Sequence, residues 1–385
     1  ARYWPEVRIL WTNPGIGLLC FRSKFKHSEL HMSLISKYTR IIVIFFSSIT
    51  LHAQAEQVTN IHEFFSPDGR VVTEASYPTD ETSRQILQAQ TVAGINRFLH
   101  KRKLTPTEDQ PVVRMNRDTY YSMIVVDVSK GAKITLPDIP EGKYMSLQPV
   151  TEDHRIQPMS YGPGTFELAT HTGTHIYVIV RLDATFSEEE AARYQDQMSI
   201  SAASDMMLST EPVELESFER VENALKAKTP MLAKRDGILA LRGGFTAPTD
   251  ESRGLHELDK YQIMAAAGWG GAQWKDNIYE VSGSYPSDAC HQATFDDPKN
   301  DAFWSFTVYD KAGFMFDDVA NVSSDTATPN GDGTYTVSFG CGQGASNNLP
   351  TENESGEFTL AIRHYQPGEL VRDEGYRLLP FVKRR

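Results

Sequence analysis

Cysteine is scarce in this chain of 385 residues, and its three cysteines form no Cys-x-x-Cys pair. A thioredoxin-like redox protein is therefore disfavoured. The sequence also lacks a Gly-x-Ser-x-Gly elbow and a His-Glu-x-x-His motif, which argues against an α/β-type serine hydrolase and a zincin. The glycine-rich stretch Gly268–Trp274 has no following Lys-Ser/Thr, so it does not predict a phosphate-binding loop.

Long apolar runs are missing as well. The run that begins at Ile41 extends for only about a dozen residues, short of the ~20 that a membrane-spanning helix needs. Lys37 and Arg40 precede it, and small residues around Ala55 follow it. This order of charge, apolar run and small residues is typical of a secretory signal peptide, predicted here over residues 32–55. A signal anchor is the alternative.

Export is the expectation that follows from this segment. Residues 1–31 lack a periodic pattern and are interpreted as upstream translated sequence, so the predicted location is periplasmic or secreted, with no transmembrane span after cleavage. The whole chain has a net charge of −12, and removal of the seven basic and two acidic residues before position 56 leaves about −17. Such an acidic protein is poorly suited to a broad nucleic-acid surface. The sequence does not indicate an oligomeric state.

Two cysteines remain after the predicted cleavage site. In an oxidising compartment Cys290 and Cys341 are predicted to form one disulfide, which would close a loop of about 50 residues. Two buried free thiols, or a reactive Cys290 beside His291, are the alternatives.

Hydrophobic periodicity predicts a β domain, a helical middle and a second β domain. Short apolar strands separated by Gly and Pro turns are typical of antiparallel sandwiches, whereas a 3.6-residue period indicates helices. A helix is predicted over Ser83–Lys103 and a strand over Val112–Met115. The predicted divisions are an N-terminal helical segment at 56–110, a first β-sandwich domain at 111–185, a helical region at 186–267 and a C-terminal β-sandwich domain at 268–385.

The stretch from Arg114 to Ser122 concentrates chemically useful side chains. It places amide, guanidinium, carboxylate, hydroxyl and phenol groups directly before an apolar strand. Binding and catalytic groups are often held in this way by a rigid element. It is therefore the principal candidate for a functional site.

This stretch and several later motifs resemble two bacterial protein families. The motif Asn116–Ser122, together with Tyr144, Gly164–Phe166 and the strand ending in Arg181, resembles domain of unknown function 1254. Further on, the chain resembles that family's usual companion, domain of unknown function 1214. The matching motifs there are Phe303–Asp310, Asp332–Tyr335, Asn348–Thr351 and Arg363–Pro367. The resemblance covers most of the chain from about Val112 to Pro380.

The resemblance implies a mainly β fold with a helical insert. The expected order is an immunoglobulin-like sandwich, a helical middle and a C-terminal jelly-roll-like sandwich. It implies little about activity, since hydrolytic roles have only been suggested for some members of these families, and no catalytic residue carries over.

The residues themselves suggest a hydrolase with an acid–base or metal-assisted site between the two β domains. The candidate catalytic residues are Asp118, Asn116, His154 and Tyr120. The candidate substrate-binding residues are Arg117, Thr119, Trp304, Arg363 and Tyr365. The substrate would be a small molecule or an envelope polymer. No cofactor is evident. Several aspartates between Asp296 and Asp332 could instead bind a divalent metal, which stays an alternative.

Other interpretations of the same residues stay open. Asn116 and Asp118 could stabilise a turn through hydrogen bonds between side chain and backbone. His154 could lie in a solvated loop. Trp304 could belong to a hydrophobic core. In that case the protein would be a non-catalytic module that binds glycan or another envelope component, or a structural or assembly protein.

Overall fold

The computed structural model describes residues 57–110 and 113–385. The upstream sequence predicted at 1–31 and the signal peptide predicted at 32–55 lie outside these residues. None of the helices in the described ranges has both the length and the apolar character needed to cross a bilayer.

The described chain begins with a short helical segment. Its elements are α1 (Ile61–Phe64), β1 (Phe65–Arg70) and α2 (Tyr77–Ala93). The helix predicted over Ser83–Lys103 therefore starts six residues earlier and stops ten residues earlier than expected. Gly94 explains the early stop, because its φ of 85° ends the helical path and only glycine adopts this conformation without strain. The chain then turns into a strand.

The first β-sandwich is built from two sheets. Its strands are β2 (Leu99–His100), β3 (Thr119–Asp127), β4 (Ala132–Leu136), β5 (Met145–Thr151), β6 (Ser160–Tyr161), β7 (Gly164–Leu168), β8 (His175–Asp183) and β9 (Ser199–Ala202). One sheet has the order β2-β3-β8-β5-β6 and the other β7-β4-β9. The strand predicted at Val112–Met115 is wrong for the described residues 113–115, which form a turn and an irregular segment.

The core of this sandwich follows from the alternation of side chains along its strands. Tyr120, Ile124 and Val126 of β3 all lie in one buried apolar cluster together with Ile134 and Leu136 of the opposite sheet. The side chains between them, such as Tyr121, point to the outer face. β3, β5 and β8 are buried almost throughout, so this outer face is covered as well.

Helices follow β8, and the first of them comes before β9 in the chain. They are α3 (Glu188–Asp196), α4 (Leu215–Ala227), α5 (Thr229–Asp236) and α6 (Leu258–Ala267). Ser187 and Glu190 form a reciprocal capping box that starts α3. Apolar residues of α2, α4 and α6 pack in one cluster with Val125, Tyr177 and Ile179, so the helices cover part of the outer face of the first sheet.

The C-terminal domain is a second sandwich. Its elements are β10 (Asn277–Val281), β11 (Tyr285–Pro286), β12 (His291–Phe295), β13 (Trp304–Asp310), β14 (Asn321–Ser323), β15 (Tyr335–Phe339), β16 (Asn348–Leu349), β17 (Glu357–Tyr365), α7 (Glu369–Arg372) and β18 (Lys383–Arg384). One sheet has the order β10-β17-β13-β14, with β11 also paired to β17, and the other β16-β15-β12-β18. A disulfide joins Cys290 to Cys341. The mainly β fold with a helical insert, predicted from the sequence, is confirmed.

Candidate functional site

The outer face of the first sheet carries a row of polar and aromatic side chains. Tyr121 of β3 lies opposite Arg181 of β8, Arg181 lies opposite Ser146 of β5, and Ser146 lies opposite Tyr161 of β6. Directly paired residues point to the same face of a sheet, so these four side chains form one line across it. Thr119 lies two residues before Tyr121 and shares this face.

The larger sheet of the C-terminal sandwich has a matching polar face. Here Tyr279 lies opposite Arg363, and Arg363 lies opposite Ser305. Tyr365 is two residues after Arg363 and points the same way, opposite Asn277. The alternate residues of these strands face the other direction, into the apolar core of the C-terminal sandwich.

The two polar faces meet. The rings of Tyr144 and Tyr365, one from each sandwich, are 5.6 Å apart, and Tyr161 donates a 2.9 Å hydrogen bond to Asp276. We call this region the interdomain polar layer. Its side chains from the first sandwich are Thr119, Tyr121, Tyr144, Ser146, Tyr161 and Arg181, and those from the C-terminal part are Asp276, Asn277, Tyr279, Ser305, Arg363 and Tyr365.

Asp118 connects the sandwiches at one end of this layer. Its side chain is 0% exposed. Oδ1 accepts from Asn321 Nδ2 at 3.0 Å, while Oδ2 accepts from Ser305 Oγ at 2.8 Å and from the Tyr365 hydroxyl at 2.9 Å. Arg363 Nη1 lies 3.7 Å from Oδ2. The carboxylate is thus held by four side chains of the other domain.

The guanidinium of Arg363 donates hydrogen bonds to three different groups. Nη1 donates to Thr307 Oγ1 at 3.0 Å, and Nη2 donates to the Tyr309 hydroxyl at 2.9 Å and to the Arg114 carbonyl at 2.8 Å. Burial alone would lower the pKa of Arg363, but Tyr309, Asp118 and Tyr365 more than offset it and raise the pKa above its usual range. The guanidinium stays charged, and it positions the chain around Arg114.

The other predicted residues of the first motif have separate neighbours. Asn116 Oδ1 accepts from the backbone N–H of Asp118 at 3.1 Å, and its Nδ2 donates to the Tyr121 hydroxyl at 2.8 Å. This is a side-chain to backbone turn of the kind that Asn favours before a strand. Arg117 donates to the Thr105 carbonyl and to Asp318.

Tyr120 points away from the interdomain polar layer. Its ring lies in the core of the first sandwich, and its hydroxyl donates to the Phe186 carbonyl at 3.0 Å. Thr119 points the other way, is fully buried, and has no hydrogen-bond partner for Oγ1 within the described part of the protein.

Trp304 is likewise separated from the layer by its sheet. It is 1% exposed and packs against Phe295 and Phe306 in the C-terminal core. The next residue in the chain, Ser305, points to the opposite face of the sheet, where its hydroxyl donates a hydrogen bond to Asp118. The structure therefore brings Asp118, Arg363 and Tyr365 together and leaves Trp304 on the far side.

His154 lies at the junction with the helical region. It is 1% exposed, stacks on Trp269 at 5.9 Å, and accepts a 3.1 Å hydrogen bond from Gly270 N–H at Nε2. Burial lowers the pKa of His154 to about 3, while the nearby charge of Asp153 acts to raise it and that of Arg155 acts to lower it further. The ring is therefore neutral at physiological pH. Its Nδ1 has no hydrogen-bond partner in the described residues.

A relay of hydrogen bonds leads from His154 to the layer. Gly270, whose N–H binds His154, accepts at its carbonyl from Gln148 Nε2 at 2.8 Å. Gln148 Oε1 in turn accepts from Arg181 Nη1 at 2.7 Å. Gly270 has a φ of 73°, and an added Cβ would lie 3.1 Å from Ile179, so this close approach requires glycine. The glycine-rich stretch is a packing element here.

Arg181 is a residue of this site that the sequence analysis did not include among the candidate site residues. It is 7% exposed, its guanidinium lies 5.6 Å from the centre of the Tyr121 ring, and Gln148 is its one hydrogen-bond partner among the described residues. No carboxylate of the described ranges lies within 4 Å of it. A charged residue inside the apolar strand His175–Asp183 is the sequence signal that could have identified it.

Two further observations bear on alternatives. The described residues contain no group of three or more His, Cys, Asp or Glu that could hold a metal ion. A groove of about 720 Å³ lies elsewhere, at the glycine-rich loop after β15, where Ser287, Gly340 and Thr351 are among its lining residues. None of the residues of the interdomain polar layer lines that groove.

Comparison with known proteins agrees with the motifs. The family described as protein of unknown function (DUF1254) matches residues 95–185, and that described as protein of unknown function (DUF1214) matches residues 286–369. No protein with a curated description matches the chain.

One of two similar solved structures supports the fold. The VPA0106 protein from Vibrio parahaemolyticus is 17% identical, with a TM-score of 0.59 over 81% of this chain and 97% of that one. A putative uncharacterized protein from Burkholderia cenocepacia is 13% identical, with a TM-score of 0.45 over 81% and 86% of the two chains. The chain thus matches the DUF1254 family model in its N-terminal part and the DUF1214 family model further on, both described as proteins of unknown function.

Proposed function

We propose that the protein binds a small polar molecule in the interdomain polar layer. The observation that carries the proposal is a concentration of buried polar atoms without a hydrogen-bond partner in the described protein. Thr119 Oγ1, Asp276 Oδ2, Asn277 Oδ1 and Arg114 Nη1 are all in or beside this layer. A buried polar group left unpaired costs about 1–3 kcal/mol, so such groups are normally satisfied by a partner.

The aromatic composition of the layer supports an organic ligand. Tyr121, Tyr144, Tyr161, Tyr279 and Tyr365 all contribute to it. Tyrosine offers an apolar ring for contact area and a hydroxyl that gives or accepts a hydrogen bond. A few fixed polar groups among aromatic walls, at a boundary between domains, are typical of small-molecule sites.

Binding is a better match to this geometry than acid–base chemistry through Asp118. A general base must come within hydrogen-bond reach of the proton that it removes. Asp118 is fully buried, and both its oxygens already accept hydrogen bonds from side chains of the other sandwich. We assign it a positioning role. The hydrolase, the metal-assisted mechanism and the exported location remain predictions from the sequence.

A pair of substitutions tests the proposal. Thr119→Val removes a hydroxyl that has no partner in the described protein while keeping the shape of the side chain, so stability should change little. Loss of one ligand hydrogen bond should weaken binding roughly 2- to 10-fold. Ser146→Leu fills the layer and should abolish binding. Ser201→Leu, at an exposed position of β9, is the matched control.

The measurement is a ligand-observed NMR screen of hydroxy acids, amino acids, sugars, esters and phosphoesters. Hits that bind wild type and the Ser201→Leu protein but not the Ser146→Leu protein support the proposal. Equal binding by all three proteins, or no hit with wild type, contradicts it. Product signals in the same spectra, with and without chelator, would instead reveal the hydrolase.

A further inference from the structure

We infer that the ligand of the interdomain polar layer carries a carboxylate group, and that Arg181 is its anchor. This inference rests on the proposed binding function and adds the chemical class of the ligand. It follows from the absence of a carboxylate within 4 Å of Arg181, from the two guanidinium nitrogens without a hydrogen-bond partner, and from the unpaired oxygens of Asp276 and Asn277.

Direct contact with a carboxylate distinguishes most buried cations of this protein from Arg181. Arg155 lies 2.5 Å from Glu251, Lys260 lies 2.9 Å from Asp236, and Arg363 lies 3.7 Å from Asp118. Arg181 has no such partner in the described chain. An ionised group taken out of water is costly unless an opposite charge accompanies it.

Arg377 is the other buried arginine without a carboxylate within 4 Å, and its surroundings differ. Its Nη1 donates to the carbonyls of Val371 and Tyr376, and its guanidinium lies over the ring of Trp274. For Arg181 the corresponding neighbours are phenols, which are uncharged at neutral pH. The charge of Asp276 also acts on Arg181, but from more than 4 Å. Since no carboxylate of the described chain contacts the Arg181 guanidinium directly, that contact is open to a ligand.

Arg181 is also oriented for such a partner. Gln148 accepts from Nη1, and Gln148 is itself held by its bond to the Gly270 carbonyl. The Tyr121 ring lies against the guanidinium. The Nε and Nη2 atoms have no hydrogen-bond partner among the described residues. These two N–H groups form the edge of arginine that binds both oxygens of a carboxylate at once.

The rest of the layer favours a monoanion with a donor group. Asp276 and Asn277 each present a buried oxygen without a partner in the described protein. Such oxygens accept a hydrogen bond from a hydroxyl or ammonium group on the ligand. The carboxylate of Asp276 also opposes a second negative charge, so a phosphate dianion fits less well than a carboxylate.

Matched acids and amides test the inference by calorimetry. The probes are lactate against lactamide and 4-hydroxybenzoate against 4-hydroxybenzamide, with phenyl phosphate as the phosphate probe. A charge-assisted bond should make an acid bind wild type roughly 10- to 100-fold more tightly than its amide. Arg181→Met should remove this preference, whereas Arg193→Met, at an exposed position of α3, should retain it.

A second variant keeps the test independent of the folding of Arg181→Met. Ser146→Asp leaves Arg181 in place and adds a carboxylate on the directly paired residue of β5. We expect this protein to melt at or above the temperature of wild type and to lose acid binding. Acid binding as in wild type would overturn the inference.

The remaining outcomes separate the inference from the proposed function. If an amide binds as tightly as its acid, or if phenyl phosphate binds most tightly, the ligand does not need a carboxylate group and the inference is wrong. The interdomain polar layer would still be a ligand site in either case. If none of the acids binds, the carboxylate is overturned, and the screen with Thr119→Val and Ser146→Leu decides separately whether any ligand binds the layer.

Discussion

Asp118→Asn is expected to lower the free energy of unfolding by about 3–5 kcal/mol, as is typical when one partner of a buried ion pair is removed. Asp118 is fully buried and accepts hydrogen bonds from Asn321, Ser305 and Tyr365. An amide would turn one acceptor into a donor that faces other donors. It would also leave the charge of Arg363 without its carboxylate.

Urea denaturation of wild type and variant measures this effect. Asp318→Asn is the matched control, because Asp318 is 78% exposed and its ion pair with Arg117 lies near the surface. Exposed pairs contribute only about 0–1 kcal/mol, so this control should unfold almost as wild type does. An Asp118→Asn protein with an unchanged urea midpoint would contradict the positioning role.

The second large effect is a loss of stability in mild acid that depends on His154. Burial lowers the pKa of His154 to about 3 in the folded protein, against about 6.5 in the unfolded chain. The unfolded chain therefore binds the additional proton between these values. The stability that the neutral ring contributes is complete above pH 6.5 and is lost as the pH falls toward 3, about 5 kcal/mol in all.

Chemical denaturation at a series of pH values between 5 and 7 checks this prediction. His154→Gln retains an acceptor for Gly270 N–H but does not titrate, so its unfolding free energy should depend less steeply on pH than that of wild type. His62→Gln replaces an exposed histidine and should leave the wild-type slope. Equal slopes for wild type and His154→Gln would show that the buried ring does not carry the effect.

The local pattern of the chain predicted the longest strands of both sandwiches. The apolar runs between turn residues predict strands over Tyr120–Val128 and Thr174–Asp183, and β3 and β8 occur at Thr119–Asp127 and His175–Asp183. Alternation of side chains depends on neighbouring residues, which a sequence displays directly. The end of α2 was misplaced because the apolar residues after Gly94 continued a helical period, whereas pairing of Leu99 and His100 with β3 places them in a sheet.

Part of the candidate site was also predictable. Asp118, Arg363 and Tyr365 were expected to share a site between the β domains, and the structure places their side chains in contact. Their catalytic and substrate-binding roles remain predictions. Tyr120 and Trp304 were candidates for the same site, but each lies on the strand face that points into a core.

The sequence by itself determined the strand and helix pattern, the order of the two domains and the family motifs, because these depend on residues close together in the chain. Only the tertiary structure decided which strand faces meet between the sandwiches. That choice rests on contacts such as Asp118 with Tyr365, formed between residues far apart in sequence. It is also what left Arg181 buried beside tyrosines without a carboxylate, and so gave this protein its candidate ligand site.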